Sequence, residues 1–167
     1  MFPFLSYIKF LLRSTNQHGV HSPFIFQYLT RCLYRKPARH KNKAVDVVLK
    51  SIPYFKVKTV FLPSKESSVR SLLDEAYPRL RYGPPPYDLV YVPGPDLDMI
   101  MKTTQAEPVV HNNSLCILAH IHENKKARKQ WERVKSMEHV RVTIDSFFCG
   151  MVFFRKEQAR QHFKIRI

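Results

Sequence analysis

His120 and His122 are the two residues best spaced for chemistry: they follow the apolar run Leu115–Ala119 two positions apart. On a strand end they would share one face and could take a metal or a phosphate. No third ligand stands at a metal-site spacing, so no metal is expected and the pair reads as cleft lining. Asp96, Asp98 and Glu107 are the carboxylates open to general-base work, but nothing in the sequence pairs with them. His18 and His21 flank a helix junction and read as capping or packing groups. The Ser-His-Asp order, nucleophile elbow, phosphate-binding glycine loop and zinc spacings are missing, so no catalytic residue is assigned. Cys32, Cys116 and Cys149 are odd in number and far apart. They read as reduced, mostly buried thiols of a cytoplasmic protein.

Charge is the stronger signal. The 167 residues carry 28 Lys plus Arg against 13 Asp plus Glu, a net +15. Such an excess favours polyanions: RNA, DNA or an anionic membrane surface. It is densest from Arg31 to Lys43, where Arg31, Arg35, Lys36, Arg39, Lys41 and Lys43 stand with His40 and no acid. A second run, Lys125, Lys126, Arg128, Lys129, Arg133 and Lys135, falls on the exposed face of a helix expected over Asn124 to Met137, with Ala127, Trp131 and Val134 inward. The alternative for both is a solvated basic surface with no dedicated ligand.

These residues must be positioned by a mixed α/β chain. Phe2–Arg13 is helical and hydrophobic on most of its circumference, so something must cover it. It is too short and too charged for a span or a signal peptide, which leaves docking on its own domain or an interfacial helix on a membrane surface. Gly19 ends one helix, and Ser22 with Pro23 starts the next, which runs to about Tyr34. Asn42 caps a third helix carrying Val45, Val48, Leu49 and Ile52 on one face, and Pro53 stops it. Residues 1–42 thus form a helical cap and basic linker, and residues 43–167 the main domain. Thr59–Leu62 reads as a strand and Ser64–Leu73 as a helix. A strand running straight into a helix is where a doubly wound α/β protein holds a nucleotide-like cofactor. The turn there needs glycine, yet Gly19, Gly83, Gly94 and Gly150 all lie elsewhere and Pro63 occupies it. Further strands are expected at Tyr87–Val92, Leu115–Ala119, Val140–Ile144 and Met151–Phe154. A turn is expected at Asn112–Ser114, a short helix at Leu97–Thr104, a tight bend at Gly150 and a charged tail to close the chain.

HGVHSPFIF near the start and VTIDSFFCGMVFFRKEQARQHFKIRI at the end resemble class I S-adenosylmethionine-dependent methyltransferase-like proteins of Bacteroidetes. The likeness is close over Gln17–Leu33 and Asn112–Ile167 and thin between them. It implies a reduced Rossmann-like sheet, mostly parallel, with a C-terminal antiparallel strand pair and an N-terminal helical cap. The family's functional residues do not carry over. Leu62, Pro63, Ser64, Lys65 and Glu66 replace its acidic residue and glycine-rich turn. Pro93 precedes Gly94, with Asp96 nearby, where the family has Asp-Gly, and Ala119 and His120 replace paired acids, whereas His122 matches a family histidine. The family's second and third strands have no counterpart. The Val57–Leu62 strand is then a sheet edge, with its apolar residues open to misassociation or to pairing as a homodimer unless Arg79–Tyr82 or the cap protects it. The resemblance therefore implies a methyltransferase-like protein without catalysis, retained as a binding or scaffold protein, with no cofactor. The alternatives are an active enzyme that binds S-adenosylmethionine in an atypical site, and a basic RNA-binding protein.

Overall fold

The computed structural model describes residues 2–94 and 109–167. The helix expected at 97–104, and with it Asp96, Asp98 and Glu107, lies outside the described residues. The helices are α1 (Phe2–Arg13), α2 (Pro23–Tyr28), α3 (Lys43–Phe55), α4 (Ser67–Ala76) and α5 (Lys125–Ser136). The strands are β1 (Val60–Phe61), β2 (Tyr87–Val92), β3 (Val110–Ala119), β4 (Val142–Asp145), β5 (Cys149–Phe153) and β6 (Gln161–Lys164). They make a six-stranded, mostly parallel sheet in the order β1-β2-β3-β5-β4-β6. β1, β2 and β3 are parallel, β5 runs antiparallel to both β3 and β4, and β6 returns parallel to β4.

The central strands are continuous apolar runs because both faces of the sheet are covered. Leu89, Tyr91, Leu115 and Ile117 join a core with Ile25 and Tyr28 of α2, Val48 and Ile52 of α3, and Val69 and Leu73 of α4. Val90, Val92, Cys116 and Leu118 turn the other way, onto Trp131 and Val134 of α5. All three cysteines are buried and free. Burial pushes the Cys32 thiol up to about 12 and, against a bond from Ser146, the Cys149 thiol to about 12 as well.

Three caps follow the sequence. Ser22 Oγ accepts from the Ile25 amide at 3.4 Å, with Pro23 at the first helical position. Asn42 Oδ1 accepts from Ala44 and Val45 at 2.9 and 3.3 Å. Asn124 Oδ1 accepts from Ala127 at 2.8 Å. After α2 the chain continues through one π-helical turn, Leu29–Leu33, and so buries Leu29, Cys32 and Leu33 beside Tyr28.

Several expectations need correcting. Pro53 does not stop α3, which runs on to Phe55 and is capped by Lys56 in the left-handed region at φ 54°. A proline inside a helix strips the carbonyl four residues earlier of its donor. That carbonyl belongs to Leu49, and the Tyr77 hydroxyl donates to it at 2.7 Å. Gly150 makes no bend: it lies within β5, and the residue of the β4–β5 loop with positive φ is Phe147, at 72°. Gly19 closes a short 3-10 turn, Gln17–Gly19, rather than α1. Asn112–Ser114 sits inside β3 as an irregularity in its pairing with β2. It is held by Ser114 Oγ, which donates to Tyr87 O at 2.6 Å. The charged tail contains β6, and beyond β6 Thr15 and Ile165 form a parallel bridge, so the two ends of the chain meet.

β1 is the edge strand, but Val57 and Val60 are not exposed. They are 8% and 1% accessible because they join the core with Val69 and Leu73. The 79–82 segment pairs there through a single bridge: Val60 N donates to Arg81 O and Arg81 N to Lys58 O, both at 2.9 Å.

Candidate functional site

In an open α/β sheet the carboxyl ends of the parallel strands leave a crevice. Along this edge Pro63 and Ser64 follow β1, Pro93 and Gly94 follow β2, and His120 follows β3. A cavity of about 420 Å³ opens at the β3 end, lined by Lys41, Asn42, Lys43 and Ala44 at the start of α3, His120, His122 and Glu123 after β3, and Phe147 and Phe148 of the β4–β5 loop. That is within the usual size of a small-ligand site. The sequence treats the basic linker and the histidines as separate features, and the fold puts them around one space.

The histidines do not share a strand face. β3 ends at Ala119, and His120 takes φ 57°, so the chain turns there, with Glu123 N donating to His120 O at 3.1 Å. His122 is locked in place. Its Nε2 lies 3.0 and 2.8 Å from the two Asp145 oxygens. A carboxylate only accepts, so Nε2 carries the hydrogen. The imidazole stacks on Phe147 at 5.0 Å with planes 7° apart. Asp145, 3% accessible, also accepts from the Phe147 amide at 2.9 Å. That bond helps hold Phe147 in a backbone region that bulky residues rarely adopt. Two of the three non-glycine residues described with positive φ, His120 and Phe147, therefore line this cavity; backbone strain of this kind concentrates at binding sites. Behind the loop Phe10 and Tyr7 of α1 pack on Phe147, with centroids at 5.6 and 4.8 Å.

The linker owes its course to Asp46. This residue is buried, accepts from the Arg39 and His40 amides at 2.5 and 3.3 Å, and pairs with Lys50 at 2.9 Å. Arg39 itself reaches the Tyr77 hydroxyl. Arg31, Arg35, Lys36, Arg39 and Lys41 stay exposed, and Lys43 is half-buried between this cavity and a smaller one lined by Arg35, Lys36 and Lys50. Lys125, Lys126, Arg128 and Lys129 are exposed on α5, across the sheet from α3. The two basic runs thus belong to opposite faces, and α3 and α5 begin at the same edge. Among the described residues no group of three His, Cys, Asp or Glu side chains could hold a metal.

Asp145, Phe147 and Phe148 carry little signal in the sequence: an acid followed by two aromatics before Cys149 and Gly150 reads as a hairpin link. Compared with protein-family models, with curated proteins and with solved structures, the chain matches none.

Proposed function

We propose that this protein is a methyltransferase-like scaffold without catalysis that binds a polyanion, single-stranded nucleic acid by preference, at the cavity between Lys41, Lys43, His120 and Phe148. The Rossmann-like part of the reading is supported by the run of parallel strands β1, β2 and β3 with helices on both faces, closed by the antiparallel β4–β5 pair. The loss of the cofactor is supported by the turn after β1. Pro63 offers no amide there, the Glu66 amide is spent on Pro63 O at 2.9 Å, and no glycine lets a ligand approach the backbone. Glu66 also sets a carboxylate at the start of α4. Burial, and then that carboxylate, push the Tyr91 phenol up to about 12. A carboxylate at this helix start disfavours a second anion there, the carboxylate of S-adenosylmethionine included. The residues present do not fit that cofactor.

The observation that carries the binding reading is the meeting of lysines and a part-exposed aromatic in one cavity: Lys41 and Lys43 face Phe148, which is 38% accessible. Cations along a backbone track and an aromatic on which a base can stack are the two parts of a single-strand site. α5 adds support, because Lys125 and Lys126 occupy its first turn with no acid among them, an arrangement the helix dipole disfavours until an anion arrives.

The test is fluorescence anisotropy with single-stranded RNA and DNA oligonucleotides across a salt series. Lys41→Glu with Lys43→Glu should weaken binding at least about tenfold and flatten the salt slope by roughly one to two. Phe148→Ala should weaken it by about 1–3 kcal/mol. Reversal at Arg128 and Lys129 should reduce affinity less. Affinity indifferent to Lys41, Lys43 and Phe148 would remove this site, and one-site calorimetric binding of S-adenosylmethionine would restore the enzyme.

A further inference from the structure

α1 has two apolar faces, and only one of them is used. Phe10, 6% accessible, and Tyr7 face inward onto the β4–β5 loop. Phe4, Ile8 and Leu12 repeat every fourth residue on the solvent side with Leu5 beside them, and they are 68%, 40%, 81% and 52% accessible. A stripe of four large apolar side chains on a held helix is more than scattered surface hydrophobicity. Phe148 continues the patch through Tyr7, their rings 6.0 Å apart. Exposed Lys9 and Arg13 flank the stripe, and α1 contains no acid.

We infer that α1 is an interfacial anchor that lays this stripe into the surface of an anionic lipid bilayer. The helix has 12 residues, about 18 Å of length at 1.5 Å per residue, well short of a hydrocarbon core of about 30 Å. Among the described residues no helix is long and apolar enough to cross a membrane. Lying in the interface is the geometry that suits a short helix with one bare apolar face and a basic flank. Charge selects the occupant. A second copy would bring a molecule of net charge +15, with its own Lys9 and Arg13, against an equally charged one, whereas anionic headgroups attract the flanking cations and the rest of the molecule.

Co-sedimentation of the full chain with phosphatidylcholine vesicles, with and without phosphatidylglycerol, tests this. Binding should require phosphatidylglycerol, weaken with salt, and fall at least about tenfold in Ile8→Glu with Leu12→Glu, while the far-ultraviolet spectrum and oligonucleotide affinity stay as in the parent. Leu12→Trp is the second readout, because Trp131 is fully buried and a new exposed indole should shift to the blue on vesicles. The inference fails if no vesicle binding occurs, or if binding survives the double glutamate variant and Leu12→Trp shows no shift, which would leave the attraction to charge alone. It also fails if the parent sediments as a dimer that the glutamates dissolve, since the stripe then serves a second copy.

Discussion

Single side chains decide how tightly the sheet and α5 fit. Gly150 is the clearest case, because a Cβ built on it would stand 2.5 Å from Trp131 Cζ3 and 2.6 Å from Cη2. The indole is rigid and 0% accessible, so it cannot swing aside. Gly150→Ala should destabilise the protein by roughly 1–3 kcal/mol, the usual cost of overpacking. Denaturant unfolding followed by the emission of this sole tryptophan would measure it, and an unchanged midpoint would mean that α5 rides farther from β5. Asp145 shows the same economy in polar form, since one carboxylate orients His122 and turns the chain at Phe147.

At the scale of elements, α3 and the turn after α4 are coupled by one hydroxyl. Tyr77 supplies the donor that Pro53 denies to Leu49 O, and it also receives Arg39 from the basic linker. Tyr77→Phe should therefore cost about 1–2 kcal/mol, the penalty of an unpaired carbonyl near the core. The loss should shrink in a Pro53→Ala background, where an amide at position 53 can serve Leu49 again. A double-mutant cycle reads that coupling directly, and additive effects would show that the carbonyl finds water instead. The same bond ties the course of the linker, and through it Lys41 and Lys43, to the packing of helices rather than to the linker's own sequence.

For the molecule as a whole, acid should act through two partly desolvated imidazoles, the half-buried His139 and the exposed His162. Burial holds His139 below the ordinary histidine value, and its Nε2 has no hydrogen-bond partner among the described residues. Burial, then Lys135 and Arg160, lower His162, whose Nδ1 lies 2.9 Å from Thr143 Oγ1. A base whose folded pKa is depressed leaves the unfolded chain binding more protons below about pH 6.5, so stability rises with pH through that window. The contribution is present above the unfolded value and is lost as pH falls toward the folded one. Unfolding free energy in urea should decline between about pH 7.5 and about pH 5, and His139→Gln with His162→Gln should reduce that slope. An unchanged slope would place the acid sensitivity on other groups.

The local rules were legible in the sequence. Ser22, Asn42 and Asn124 open helices where their side chains can accept backbone amides, β2 spans Tyr87–Val92 as its apolar run foretold, and Trp131 and Val134 face inward. Each of these depends on residues within a turn or two, so periodicity and capping chemistry suffice. What depended on distant partners was not legible. Pro53 reads as a stop until Tyr77 is seen to satisfy Leu49, Gly150 reads as a bend until Trp131 is seen against it, and the end of the chain reads only as a charged tail until β6 pairs with β4. The candidate site divides the same way. Its lysines and histidines were visible as residue types, but the cavity exists only because Asp46 draws the linker, and Asp145 the aromatic loop, to one edge of the sheet. Sequence alone determined charge, the helix starts at Ser22, Asn42 and Asn124 and the apolar runs of the buried strands, since those are properties of short windows, whereas α4, expected from Ser64, opens at Ser67. Only the tertiary structure decided which charges meet, because a hydrogen bond or contact between residues far apart in the chain leaves no periodic trace.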